Sequence, residues 1–320
     1  MTTVESSAQL SLQSRTDGFL DVLRCPLSGQ RLLHIQGALM TADGKHRYRL
    51  DEYGIPLFAE DFLSAAASVQ RLHYNKIARA YTANLGYPHT QEYLEYLDGV
   101  TSQVLGTDVG TMVELCCGRG EALILFGKCA NRYIGVDISE SMLHATQESL
   151  HHPNAAFLQA DATRVPLAAD SVDTVVMLGG IHHVPDRAQL FKEIARILKP
   201  GGRFVYREPV SDFLLWRGLR GIIYRLSPML NHETERPLLY EETVPLLEQV
   251  GLRSLRYDTY GFIGFCVFMN SDVLLFNRLF RFVPGIRAIT RASARLDDML
   301  LKLPGLKRAG LQVVGLAEKH

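Results

Sequence analysis

The stretch Val113-Glu-Leu-Cys-Cys-Gly-Arg-Gly-Glu121 constrains the fold of this chain most tightly. Met112, Val113 and Leu115 suit a buried parallel strand, because stiff apolar side chains pack well on both faces of a sheet. Cys116-Cys117-Gly118-Arg119-Gly120 breaks that strand, and Glu121-Ala-Leu-Ile-Leu-Phe-Gly supplies good helix formers. A strand, a small-residue turn and a helix gather backbone N–H groups and a helix N-terminus around an entering ligand. Gly118 and Gly120 read as positions where a Cβ would block close approach.

The continuation gives that turn its meaning. Asp137 follows Tyr133-Ile-Gly-Val, a second short strand, and lies 19 residues beyond Gly118. An acidic residue at that distance, ending the next strand, can accept both ribose hydroxyls of an adenosine. Asp161 closes a third segment, Phe157-Leu-Gln-Ala-Asp, where a carboxylate can accept the exocyclic amine of an adenine. The three strand tips then share one sheet edge, the place where open α/β folds bind ligands.

Two further segments, Val175-Val-Met-Leu-Gly-Gly-Ile-His-His-Val-Pro-Asp and Glu193-Ile-Ala-Arg-Ile-Leu-Lys-Pro-Gly-Gly-Arg-Phe, follow in order. Together the five segments resemble the class I S-adenosylmethionine-dependent methyltransferases, strongly over residues 70–210. Among these the chain looks most like the small-molecule enzymes of ubiquinone and menaquinone biosynthesis. The family's first motif usually reads Gly-x-Gly-x-Gly, and Cys116 stands at the first glycine; its small side chain should let the turn survive. The resemblance implies an α/β fold, a Rossmann-like seven-stranded, mostly parallel sheet with an antiparallel last strand. It implies S-adenosylmethionine as cofactor, with Tyr74, Tyr81, Glu114, Cys116, Gly118, Gly120, Asp137, Ile138, Asp161, Ala162, Leu178 and Gly179 as the residues that bind it. Tyr74 and Tyr81 fall on a segment resembling the helix that covers the cofactor, with a place in the core as the alternative for these aromatics.

At 320 residues the chain has room for one large domain and an appendage. Basic and acidic residues balance at 34 each, so no global charge draws it to nucleic acid. The five cysteines (Cys25, Cys116, Cys117, Cys129, Cys266) lack paired spacing, which points to a reducing cytoplasm. Met1-Thr-Thr-Val-Glu-Ser-Ser shows no secretion signal, and the longest apolar run, Gly261 to Met269, is too short to span a bilayer.

Residues 1–62 read as a loose terminus followed by a small β-rich domain. Arg31-Leu-Leu-His-Ile and Arg47-Tyr-Arg-Leu flank a turn signal at Ala42-Asp-Gly-Lys, which suggests a hairpin, with Ile55-Pro-Leu-Phe as further β text. Cys25-Pro-Leu-Ser-Gly-Gln-Arg-Leu resembles a zinc-ribbon module, but Ser28 replaces the second cysteine and no later pair appears, so no metal site is expected. Residues 63–320 read as the methyltransferase domain. It begins with helices over Ala65–Asn84 and Gln91–Leu105, and Ser139 is the N-cap of a third. Further on, a strand covers about Ser254 to Cys266 and the last runs from Gly310 to Glu318. Residues 210–237 and 270–307 exceed what the sheet needs, and both read as helical cap insertions over the substrate side.

Methyl transfer from a sulfonium needs an aligned acceptor and, for some acceptors, a base. His182 and His183, after the fourth strand, are the candidate bases; a histidine with no catalytic duty is the competing reading. Glu208 and Tyr206 are weaker candidates. Leu178-Gly-Gly-Ile stands where amino-directed nucleic-acid methyltransferases carry Asn-Pro-Pro-Tyr, and Leu123 occupies the place of a dehydrogenase's third glycine. The expected acceptor is therefore a small, largely apolar molecule. An rRNA or tRNA base methyltransferase, and an enzyme using the cofactor without methyl transfer, stay open as alternatives. Residues 271–308 hold eight basic against three acidic residues, a net charge of +5. An apolar face with a basic flank suits a lid over the acceptor or peripheral contact with an anionic membrane, and a plain core helix pair fits equally.

Overall fold

The computed structural model describes residues 16–60, 62–72, 86–218, 236–269 and 275–320. Tyr74 and Tyr81 lie outside the described residues, as does most of the 210–237 insertion. The N-terminal region holds three short strands, β1 (Leu32–Ile35), β2 (Ala38–Thr41) and β3 (Arg47–Arg49). Seven more strands follow: β4 (Thr111–Leu115), β5 (Arg132–Asp137), β6 (Ala155–Gln159), β7 (Val172–Leu178), β8 (Leu198–Pro209), β9 (Leu252–Tyr260) and β10 (Gln312–Lys319). They form the central sheet in the order β6-β5-β4-β7-β8-β10-β9. Strands β4 to β8 are parallel where they pair, and β10 runs antiparallel to both β8 and β9. Val113, Leu115, Ile134, Val136, Val175 and Val176 are all fully buried, as a strand covered on both faces requires. Gly315 on β10 sits against the ring of Tyr206, and a Cβ there would overlap that ring.

Among the described residues the helices include α1 (Pro88–Leu105), α2 (Glu121–Phe126), α3 (Glu140–Ser149), α4 (Arg187–Ile197), α5 (Tyr240–Gln249), α6 (Ile263–Phe268) and α7 (Ile286–Leu301). Ser139 caps α3 by accepting from the Met142 N–H, and Asp186 caps α4 by accepting from Gln189.

Three sequence expectations change. The strand after Leu252 stops at Tyr260, and Ile263 to Phe268 is helical rather than extended. The cause is Asp297 on α7, whose carboxylate accepts the N–H groups of Phe262, Gly264 and Phe265 at 2.8–3.0 Å and so caps α6. The helical reading of 270–307 becomes a 3-10 helix over Leu275–Phe282 and α7, and residues 270–274 lie outside the described residues. In the N-terminal region the expected hairpin joins β2 to β3; a second one joins β1 to β2 through Gln36 and Gly37, both at positive φ. Ile55 to Phe58 makes only isolated bridges, Leu50 to Pro56 and Leu57 to Gln159, the latter against the outer edge of β6.

Phe19, Leu23, Leu39, Tyr48 and Phe58 of the N-terminal region belong to the same core cluster as Val113, Val136 and Val175. A separate cluster unites α1, α6 and α7 through Tyr93, Leu97, Phe262, Phe265, Ala294 and Leu301. The described part of the 270–307 insertion thus rests one face of α7 on α1. Its other face leaves Ile289, Leu296 and Met299 exposed, with Leu303 exposed just beyond its end.

Candidate active site

The turn after β4 is held by charge and by backbone. Cys116 takes a left-handed conformation, φ 53°, at the position where a glycine would relieve the strain. The Gly118 N–H donates to Oδ2 of Asp137 at 2.8 Å, and the Thr146 hydroxyl donates to the Gly118 carbonyl at 2.6 Å. Gly118 is left-handed, φ 47°, and a Cβ there would make ordinary contact with Met142 at 3.5 Å, so backbone conformation and not crowding favours glycine. Gly120 is left-handed, φ 70°, and a Cβ there would also meet the side-chain ends of Leu150 and Thr146 at 2.9 and 3.0 Å, so backbone conformation and packing against α3 both favour glycine. Glu114, just before the turn, accepts from the Ala122 N–H at 2.9 Å and from the Tyr133 hydroxyl at 2.5 Å. Burial pushes its carboxyl up to about 8 despite those bonds. Burial also raises the Cys116 and Cys117 thiols well above their ordinary range, so neither is poised as a nucleophile.

Asp137 ends β5 with both carboxylate oxygens engaged, Oδ1 accepting from the Ser139 N–H at 2.9 Å. Burial raises this carboxyl, opposed by the N–H groups of Ser139 and Gly118. Beyond β6, Asp161 accepts from the backbone and hydroxyl of Thr163 through Oδ1, and from the Ser64 N–H through Oδ2. Ser64 leads into a helical stretch at 65–72 that contributes Ala66, Ala67 and Gln70 to the wall of the site. Arg71 anchors that stretch to Glu140 at 2.6 Å.

After β7, Gly179 and Gly180 lead into a 3-10 turn, Ile181–His183. Glu208, fully buried at the end of β8, clamps the turn. Its Oε1 accepts from the N–H groups of Gly180 and Ile181 at 2.7 and 2.8 Å, and its Oε2 lies 2.8 Å from Nδ1 of His182. A carboxylate there keeps the ring proton on Nδ1, which donates to it, and leaves Nε2 as the basic nitrogen. A Cβ on Gly180 would fall 2.7 Å from Cβ of Cys116, so the side chain at 116 demands glycine at 180.

These tips enclose a cavity of about 340 Å³, of a size suited to a small-molecule ligand. Glu114, Cys116, Gly118, Asp137, Ile138, Asp161, Ala162, Leu178, Gly179 and His183 all line it. Gly120 and His182 do not, although the His182 ring lies 3.9 Å from that of His183. Sequence reasoning missed Arg119, Glu121, Met142, Thr163 and Gln189, which also line it. Arg119 and Glu121 stood in the turn motif itself; the others belong to helices and a loop whose facing depends on packing. The wall is acidic at Glu121, Asp137, Asp161 and Asp186, which suits a cationic ligand.

A protein-family model for a methyltransferase domain matches residues 113–206. A demethylmenaquinone methyltransferase of Lactococcus lactis is 36% identical over 152 residues, 46% of this chain and 54% of that protein. The chain thus spans about half the length of that relative. One of Bacillus licheniformis is 26% identical over 215 residues, 60% of this chain and 92% of the relative. Among solved structures, an S-adenosylmethionine-dependent methyltransferase of Thermotoga maritima, described as a possible histamine N-methyltransferase, aligns with TM-score 0.52 and 20% identity. That alignment covers 77% of this chain and 98% of the other, and it bears on the fold alone.

Proposed function

We propose that the chain is a class I S-adenosylmethionine-dependent methyltransferase and that it methylates a small, apolar acceptor of quinone type. The observation that carries the reading is the junction of the acidic, nucleoside-sized cavity with the Glu208-clamped turn that brings His183 to its wall. S-adenosylmethionine supplies a methyl group already activated on sulfur. Asp137 and Asp161 hold the nucleoside, and the Gly118 turn lets it approach the backbone. His183, on the cavity wall with the Glu208-held His182 ring 3.9 Å from it, removes a proton where the acceptor must lose one. The relatives named for demethylmenaquinone support the choice of acceptor class.

A membrane-peripheral reading rests on one further feature. Ile289, Leu296, Met299 and Leu303 stay exposed on and just beyond α7 beside Arg295 and Lys302, an apolar stripe with a cationic edge. Among the described residues no helix is long and apolar enough to cross a membrane. Assays with a reduced prenylated quinone in anionic vesicles, with its water-soluble head group, and with structured RNA test both readings. Methylation of the quinone alone, with flotation on anionic vesicles at low salt that Leu296→Ser and Met299→Ser abolish, is expected. Methylation of RNA instead overturns the acceptor class, and failure to float removes the membrane contact.

A further inference from the structure

We propose that Arg187 is a positioning residue for the turn that carries His183, acting through the backbone of Arg236; this rests on the reading of His183 as the base. Glu208 fixes that turn on one side only, accepting the N–H groups of Gly180 and Ile181 and facing the His182 ring. On the other side stands the His182 carbonyl, which accepts the Arg236 N–H at 2.9 Å. The Arg236 carbonyl in turn accepts from Nη2 of Arg187, the first residue of α4. Residue 236 is thus held through both of its backbone polar groups. Leu238, two residues on, donates to the Pro209 carbonyl at 2.9 Å and accepts from the Ser211 N–H at 3.0 Å, a parallel bridge that prolongs β8. Residues 236–238 therefore link the end of β8, which bears Glu208, to the carbonyl side of the His182 turn.

The energetics single out Arg187. Its side chain is 3% exposed, yet its bonding is sparse. Nε has no partner among the described residues, and Nη1 lies 3.8 Å from Glu242, a carboxylate that Arg236 also engages. A buried guanidinium with unmade hydrogen bonds works against stability, and an apolar side chain of similar volume commonly serves a core as well or better. What the guanidinium does secure is one carbonyl, and through it the back of the turn that sets His183 on the cavity wall. Position matters at that place. A base must come within hydrogen-bond reach of the proton it takes, and a displacement of about 1 Å can lower a rate ~10²-fold.

The test pairs kinetics with amide hydrogen exchange on the full chain. Arg187→Met keeps the bulk and loses the donor, whereas Arg236→Pro removes the N–H that reaches His182 and leaves Arg187 in place. Each should lower kcat for methyl transfer to a reduced prenylated quinone about tenfold or more, with S-adenosylhomocysteine affinity within about threefold of wild type. Arg187→Lys retains a donor for the Arg236 carbonyl and should recover at least about a third of the wild-type kcat. The Gly180 and Ile181 amides, protected by Glu208 in wild type, should exchange about tenfold faster or more in Arg187→Met and Arg236→Pro, while the amides of β5 and β7 stay protected. Unchanged exchange at Gly180 and Ile181 in both variants overturns the proposal, and so does an unchanged kcat. Equal loss of kcat, cofactor affinity and strand protection would make Arg187 a residue of the fold alone and overturns it too. Wild-type protein that transfers no methyl group to any acceptor defeats the reading of His183 as a base, and the exchange rates then decide the positional claim by themselves.

Discussion

Oδ2 of Asp137 lies 2.8 Å from the backbone nitrogen of Gly118, so the residue at one strand tip fastens the turn that follows its neighbour. The same carboxylate faces the cavity, and its two duties share one charge. Asp137→Ala should therefore lower S-adenosylhomocysteine affinity ~10–150-fold, the effect of losing a charged hydrogen-bond partner worth about 1.5–3 kcal/mol. Asp137→Asn keeps one acceptor oxygen for Gly118 and should lose less. Calorimetry giving unchanged affinity in both variants would remove Asp137 from the binding site.

Glu208 acts through what it holds. Glu208→Gln keeps the volume and one acceptor oxygen for Gly180 and Ile181, but presents an amide where His182 Nδ1 needs an acceptor. Turnover should fall about 10–100-fold, the range of a misplaced general base, with S-adenosylhomocysteine affinity within about threefold of wild type. An unaltered kcat would leave His182 without a catalytic part, and a parallel loss of cofactor affinity would mean that Glu208 shapes the cavity alone.

Glu114 predicts a pH signature. Its carboxyl is pushed from an ordinary 4.5 to about 8 in the folded chain. Between those values the native state keeps a proton that the unfolded state has lost. Stability therefore falls as pH rises from about 4.5 to about 8, by up to ~1.4 kcal/mol per pH unit, and levels off outside that window. Glu114→Gln cannot ionise. Urea unfolding across about pH 5–8 should show wild type losing stability relative to the variant, whereas parallel curves would place the Glu114 titration elsewhere.

Asp297 decides whether α7 is lid or core. Its carboxylate holds three backbone N–H groups and accepts from the Tyr93 hydroxyl of α1 at 2.5 Å. Asp297→Ala leaves those buried donors unpaired, and unfolding free energy should drop by about 3 kcal/mol or more. Below the lowered melting point, cofactor affinity should remain near wild type. A variant as stable as wild type that has lost activity would make α7 a lid.

The sheet and the cavity were legible because their signals are local: short buried strands, each ending in a small or acidic residue within a few positions. Asp137, Asp161 and Gly118 could be read in that way. The helix over Ile263–Phe268 could not, because Asp297 caps it from 35 residues away at Phe262. Glu208's grip on residues 180–182 is likewise a tertiary fact, set by the pairing of β7 with β8. Arg119 was in plain view within the turn motif, but a glycine turn directs the reader to backbone N–H groups and away from the side chain between the glycines. Gly120 lies outside the cavity lining, and a packing glycine and a ligand glycine look alike until α3 is placed.

Transfer of an isotopically labelled methyl group tests the proposed chemistry most directly. The chain, incubated with methyl-labelled S-adenosylmethionine and a reduced prenylated quinone, should yield labelled quinone and S-adenosylhomocysteine in equal amounts, followed by mass spectrometry. S-adenosylhomocysteine formed in step with a labelled product of another class would contradict the acceptor, and tight cofactor binding with no label transferred to any acceptor would contradict methyl transfer itself.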